Sequence, residues 1–230
     1  MASLNEQLSS LPAFADLKPD KLEVLANKMD VLTLQTDERV FEQGSEPTGL
    51  YVLHSGSVIL LRQAGGKSQA LAILYHGDCF GGESLTTGKP SPYTAKALTP
   101  SEVFYLFPAS LQALIDEHDE LLVILLRLVS KRLRQLTTLV HDLAFRDVAA
   151  RLAGTLLTLA EAQRESSVAL LQVRRDFSQQ DLAAMVGTAR EVVYRHLKRF
   201  EADGLIEKTT QYYVILDAER LAAIATEEAR

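Results

Sequence analysis

An α+β chain is predicted: an antiparallel β-roll of jelly-roll type, then a long helix, then a helix-turn-helix flanked by short strands. Three observations predict it. Short runs rich in branched and aromatic residues recur between turn signals from Val31 to Phe107. Apolar residues then recur at threes and fours from Leu122 to Leu143, uninterrupted by glycine or proline. Finally, two helix-start signals stand either side of Gly187. The 230 residues, 47% hydrophobic and 23% charged, suffice for one large domain or two modest ones, each with its own core.

Leu4 to Met29 read as helical, broken into short pieces by Pro12 and Pro19. The expected strands are Val40–Phe41, Leu50–Leu53, Val58–Leu61, Ala70–Leu74, Tyr93–Leu98 and Val103–Phe107. Turn signals such as Gln43-Gly44-Ser45, Gly65-Gly66 and Gly77-Asp78 separate them. After Pro108 the period becomes helical. Leu122, Leu125, Val129, Leu133, Leu136, Val140 and Leu143 form a heptad-like seam, with Lys131, Arg132, Arg134 and Gln135 between them. Part of this helix must pack on its own barrel, but a seam this long predicts pairing with a second copy of the chain. A further helix is expected from Val148 to about Ala162, then a polar loop from Gln163 to Ser167 and a strand at Ala169–Val173.

The stretch SQQDLAAMVGTAREVVYRHLKRF, Ser178 to Phe200, predicts two short helices around a tight turn. Ser178 with Asp181 is a capping box, Leu182, Met185 and Val186 make one apolar face, and Gly187 can adopt the left-handed conformation that closes the helix. Thr188 with Glu191 repeats the capping pattern. In the second helix Ala189, Val193, Leu197 and Phe200 form the buried stripe, which leaves Arg190, Glu191, Tyr194, Arg195 and Lys198 pointing outward. Arginine donates two hydrogen bonds to guanine O6 and N7, and glutamate accepts from cytosine N4, so this face is equipped to read a major groove. A turn at Asp203-Gly204 and a hairpin of Leu205–Ile206 with Tyr212–Leu216 complete a winged helix. The net charge is −6, yet Arg174, Arg175, Arg190, Arg195, Lys198 and Arg199 concentrate near the reading helix.

The single cysteine, Cys79, excludes an internal disulfide and any cluster held by several cysteines of one chain. His54, His76, His118, His141 and His196 are scattered, with no H-x-H on an expected strand, which counts against a cupin-like barrel enzyme. No leader sequence and no membrane-spanning run is apparent, so a cytoplasmic protein is expected.

Two stretches carry a family resemblance: Asp142-Leu143-Ala144-Phe145-Arg146-Asp147-Val148-Ala149-Ala150-Arg151-Leu152 and Thr188-Ala189-Arg190-Glu191-Val192-Val193-Tyr194-Arg195. They are similar to the hinge and the reading helix of the cyclic AMP receptor protein/FNR family of bacterial transcription regulators, and element order agrees over nearly the whole chain. The resemblance implies a β-roll effector-sensing domain (cyclic-nucleotide-binding-like) over residues 1–115, a dimerisation helix and hinge over 116–146, and a winged helix-turn-helix DNA-binding domain over 147–230. It implies base reading by Arg190, Glu191 and Arg195 on a palindromic TGTGA-like site, with Tyr194, Lys198, Ser178 and Thr188 also at the DNA. RNA polymerase is an implied partner. The FNR iron–sulfur cluster is excluded because its cysteines are missing.

At the effector pocket the resemblance breaks down. The family's cassette carries Gly-Glu and, further on, Arg-Ser or Arg-Thr. Here the first stretch is Gly77-Asp78-Cys79-Phe80-Gly81-Gly82-Glu83-Ser84, where Glu83 matches only with one extra residue and Gly82 stands there otherwise. Tyr93-Thr94-Ala95 occupies the Arg-Thr-Ala site, and losing a charge-assisted bond to phosphate costs about 1.5–3 kcal/mol. The pocket implied by the resemblance comprises Gly82, Glu83, Ser84, Tyr93, Thr94 and Thr137. It is not expected to be tuned for cyclic AMP, its effector is unidentified, and no metal or cofactor is expected. A haem- or redox-sensing variant would have to use His76 or Cys79, which do not align with the family's haem ligands.

Overall fold

The computed structural model describes residues 4–11, 14–15, 17–46, 49–83, 87–117, 119–164 and 171–228, apart from the side chains of residues 116, 119 and 120. Two compact units are formed, Met1–Gln63 with Leu71–Gln135, and Ala64–Ala70 with Leu136–Arg230.

In the first unit, helices α1 (Leu4–Ser9) and α2 (Pro19–Ala26) precede eight strands. Pro19 opens α2 in the first turn, where its missing N–H is no loss. The strands are β1 (Met29–Leu34), β2 (Arg39–Phe41), β3 (Leu50–Ser55), β4 (Val58–Ala64), β5 (Lys67–Leu74), β6 (Cys79–Phe80), β7 (Thr94–Ala97) and β8 (Ser101–Leu106). They build two four-stranded sheets, ordered β1-β8-β3-β6 and β2-β7-β4-β5. Alternation explains the core. Tyr51 and Leu53 of β3 join Phe41, Leu60, Leu74, Phe80, Tyr93 and Val103 in a cluster drawn from both sheets. Leu50 and Val52, on the opposite face, pack with Phe14, Leu22, Phe104, Leu106 and Leu114 beneath the helices. A strand buried on both faces has no polar face to show, so β3 reads in sequence as a continuous apolar run. Two expectations change. Met29, expected to end the helical segment, opens β1 opposite Leu106. The pair Cys79–Phe80 forms β6, too short for any period to reveal.

Helix α3 (Pro108–Glu117) leads into α4 (Asp119–Phe145), which contributes to both units and divides between Gln135 and Leu136. Leu121 and Ile124 are buried, with Leu128 packed against the same cluster. Most of the predicted seam lies outward: Val129 is 59% and Val140 65% exposed, Leu122, Leu133 and Leu143 are exposed as well, Leu136 is half-buried, and Leu125 packs against the core.

The second unit contains α5 (Val148–Ala162), β9 (Gln172–Arg174), α6 (Gln179–Val186), α7 (Arg190–Ala202), β10 (Ile206–Lys208), β11 (Tyr212–Ile215) and α8 (Ala218–Thr226). Asp147 caps α5 by accepting from the Ala150 N–H at 2.8 Å. The sheet order β10-β11-β9 gives the wing its third strand. The expected loop and strand between Glu165 and Leu170 lie outside the described residues. Helix α8 has no counterpart among the expected elements. Asp217 caps it through the Arg220 N–H at 2.9 Å, and it buries Leu221 and Ala225 in packing on α5. Among the described residues no helix is long and apolar enough to cross a membrane.

Candidate functional site

Helix α6 begins with side-chain chemistry. Ser178 Oγ accepts from the Asp181 N–H at 3.0 Å, and the Asp181 carboxylate accepts from the Ser178 N–H at 3.0 Å and from its hydroxyl at 2.6 Å. This is the predicted capping box. Gly187, at φ 74° and ψ 45°, closes α6 in the left-handed conformation that side chains resist. The second predicted box does not form. Thr188 donates its N–H to the Ala183 carbonyl at 3.0 Å, the same acceptor Gly187 uses at 2.9 Å, so Thr188 completes the closure of α6. The chain extends only at Ala189, which becomes the N-cap of α7 without a side-chain bond. Ala189 is therefore exposed rather than part of the buried stripe.

Val193, Leu197 and Phe200 are buried, each burial worth roughly 1.5–3 kcal/mol. Their packing fixes the opposite face of α7, where Arg190, Glu191, Tyr194, Arg195 and Lys198 all lie exposed. Arg190 Nε donates to Gln179 Oε1 at 3.1 Å. Glu191 and Arg195 make no hydrogen bond or ion pair among the described residues. Lys198 Nζ lies 2.8 Å from Glu201 Oε2, and Arg199 Nε 3.6 Å from Asp203 Oδ2, both pairs on the helix surface. His196 is half-buried, and burial lowers its pKa.

Not all of the basic cluster faces outward. Arg175 donates from Nη1 to the carbonyls of Thr209 and Thr210 at 2.7 and 2.9 Å and lies 5.2 Å over the Tyr213 ring, so it clamps the wing turn. Arg174 pairs with Asp176. In the hinge, Arg151 donates to the Val186 carbonyl at 2.8 Å and to the Arg146 carbonyl at 2.6 Å, tying α5 to the end of α6.

In the β-roll, Glu83 and Tyr93 meet directly. The Tyr93 hydroxyl donates to the Glu83 carboxylate, 2.8 Å from both oxygens, and accepts from the Gly81 N–H at 3.1 Å. Burial, reinforced by the Glu83 charge, drives the Tyr93 pKa far upward, so the phenol remains a donor. Gly81 stands at φ 95°, and a Cβ there would come within 2.7 Å of the Gly49 carbonyl oxygen and of the Tyr51 ring. Thr94 Oγ1 accepts from the Gln43 N–H at 3.0 Å, Gly82 is half-buried, and Ser84 lies outside the described residues. Thr137 is exposed on α4 and belongs to the second unit.

Polar side chains of α4 that the sequence placed only between the seam residues reach the Asp78–Cys79 segment of the β-roll. Arg132 reaches the Cys79 carbonyl at 3.4 Å from Nη2 and Gln135 Oε1 at 2.9 Å from Nη1, and Lys131 Nζ lies 2.5 Å from Asp78 Oδ1. Arg132's charge acts against the upward shifts of both Tyr93 and Cys79. Burial and the Asp78 charge nevertheless push the Cys79 thiol up to about 12, which disfavours the thiolate at neutral pH. His76 Nδ1 lies 2.5 Å from the His54 carbonyl oxygen. Among the described residues no three His, Cys, Asp or Glu side chains are grouped to hold a metal.

A family model for a Crp-like helix-turn-helix domain matches residues 150–224, and one for a cyclic nucleotide-binding domain matches residues 31–118. The chain is 31% identical over 222 residues to a CRP-like cAMP-activated global transcriptional regulator of Mycobacterium tuberculosis, covering 95% of this chain and 98% of that one. It is 34% identical over 168 residues to the cAMP-activated global transcriptional regulator CRP of Pasteurella multocida, covering 71% and 78%. Among solved structures it is similar to the c-di-GMP responsive global regulator CLP of Xanthomonas campestris, with a TM-score of 0.77, 26% identity, and coverage of 86% of this chain and 99% of that one.

Proposed function

The chain belongs to the cyclic AMP receptor protein/FNR family of DNA-binding transcription regulators, and we propose that it works as a homodimer reading a palindromic TGTGA-like site through Arg190, Glu191 and Arg195. Proteins of this family bind DNA and typically act as dimers, and they are regulators rather than enzymes. The observation that carries the base-reading assignment is the facial division of α7. Val193, Leu197 and Phe200 are buried, and all three reading side chains are exposed on the other side. Tyr194 and Lys198 extend that face, and Ser178 at the start of α6 and Thr188 at the turn add contacts to the sugar–phosphate backbone. The exposed seam of Leu122, Val129 and Val140 on α4 supports pairing with a second copy. RNA polymerase is the partner through which such a dimer acts, and its place of work is the cytoplasm, where the DNA is.

The β-roll pocket, in this reading, is not tuned for cyclic AMP. The place where a phosphate needs a cation holds a buried phenol, and its hydroxyl is already bonded to Glu83 and Gly81. A different small-molecule effector remains compatible with the fold. A redox role for Cys79 finds no support in a thiol pushed up to about 12.

The test is selection of bound DNA from a random library, followed by footprinting. Two reading helices one helical turn apart predict half-site centres about 10–11 base pairs apart. Enrichment of a lone half-site at saturation would overturn the dimer assignment, and enrichment of a palindrome without TGTGA-like halves would overturn the base assignment.

A further inference from the structure

We infer that Gln179 is a positioning residue for sequence readout, holding the Arg190 guanidinium by its Nε–H so that the two terminal nitrogens meet the base end-on. This rests on Arg190 reading a base, as proposed above, and adds a residue of α6 to the recognition set.

An arginine can present two parallel donors in two ways, with Nε and one Nη or with both Nη groups. Gln179 Oε1 accepts the Arg190 Nε–H at 3.1 Å, which removes the first choice. Among the described residues, Nη1 and Nη2 of Arg190 make no hydrogen bond, so the second fork stays available. A long side chain on a helix surface would otherwise sample many rotamers, few of which align both donors with guanine O6 and N7.

The brace is itself held in place. Gln179 is the first residue of α6, directly after the Ser178–Asp181 capping box, and that box fixes the turn from which its side chain leaves. Arg190 is the first residue of α7, and the left-handed Gly187 sets where that helix begins. The contact therefore links two helix starts whose relative placement is set by the motif. Because glutamine is neutral, it orients the arginine without changing the attraction between protein and phosphates. Its effect belongs to discrimination between bases rather than to general affinity.

The experiment measures binding of the full-length protein, and of its Gln179→Ala, Gln179→Glu and Arg190→Ala variants, to the selected site, to single-base variants of it and to unrelated duplex, across a salt series. Gln179→Ala should lower discrimination roughly 2–12-fold per half-site, the range expected from one hydrogen bond, and only at the base pair where Arg190→Ala also loses it. Binding to unrelated DNA, the salt slope and thermal melting should match the parent protein. Gln179→Glu keeps an acceptor for Nε and should retain the discrimination ratio, even though its negative charge weakens binding to every sequence. Full discrimination in Gln179→Ala, together with its loss in Arg190→Ala, would overturn the inference while leaving the base-reading assignment intact. Uniform weakening of all sequences by Gln179→Ala, with a shallower salt slope, would make Gln179 a phosphate contact and also overturn it. Unchanged base preference in Arg190→Ala would remove the premise instead.

Discussion

On the outer face of α7, Glu191 and Arg195 stand in solvent without a hydrogen bond or ion pair among the described residues, and Arg190 gives up a single N–H to Gln179. In the β-roll, the Tyr93 hydroxyl is enclosed, donating to Glu83 and accepting from Gly81 in a side chain that is 4% exposed. Both regions are rich in polar groups, but their groups are committed differently. A surface that must exchange water for a partner gains most when its donors and acceptors are not already matched internally. A buried group has no water to fall back on, so it must find its partner within the fold. The difference teaches which region is built to meet a ligand through its own charges and which is already stabilised by its own contacts.

Arg190→Ala should break the first half of the comparison most severely. A bidentate pair is worth about 1–3 kcal/mol at each half-site, so a palindrome loses that amount twice, whereas folding stability should be little changed at this exposed position. Titration of a matched site and its single-base variants checks this, alongside thermal melting. Uniform weakening with unchanged base preference would reduce Arg190 to a phosphate contact. Tyr93→Phe is the converse. Removing the hydroxyl deletes a bond to a charged group, and the β-roll should lose about 1.5–3 kcal/mol in chemical denaturation while DNA base preference stays the same. No loss of stability would mean that the enclosed bond is not a structural one.

A smaller effect is expected from Lys198→Ala. Its ammonium, paired with Glu201 at the surface, should act as a phosphate contact. All sequences should weaken alike, and the salt slope should fall by about one unit per half-site, about two for the dimer. A base-specific loss would move Lys198 into the reading set. The smallest expectation is a null one. Cyclic AMP at micromolar concentration should leave the melting temperature unchanged, since a ligand that binds only the folded state must raise it. A clear upward shift would show that another cation near the pocket, such as Arg132, whose charge acts on Tyr93, replaces the missing arginine.

Local signals carried much of the reading region. The Ser178–Asp181 box, the left-handed Gly187 and the stripe of Val193, Leu197 and Phe200 depend on neighbours three to five residues apart, within reach of pattern alone. Thr188 shows where that logic fails. Its spacing to Glu191 is right for a cap, but the Ala183 carbonyl claims its N–H first, and the helix start moves by one residue. Helix α8 escaped notice because nine residues are too few to hold a helix alone, and it gains stability by docking on α5.

The order of β-roll, long helix and winged helix-turn-helix, most of the outer seam of α4, the facial split of α7 and the absence of a cation at Tyr93 were determined by sequence alone, because each is a property of residue type and short-range period. The partners of the polar groups were decided by tertiary structure. Tyr93 meets Glu83 across ten residues, Gln179 meets Arg190 across eleven, Arg175 meets Thr209 across 34, and Arg132 meets Cys79 across 53. No periodicity spans such separations. A hydrogen bond requires two atoms within about 3 Å at a suitable angle, and only the packed chain brings them there.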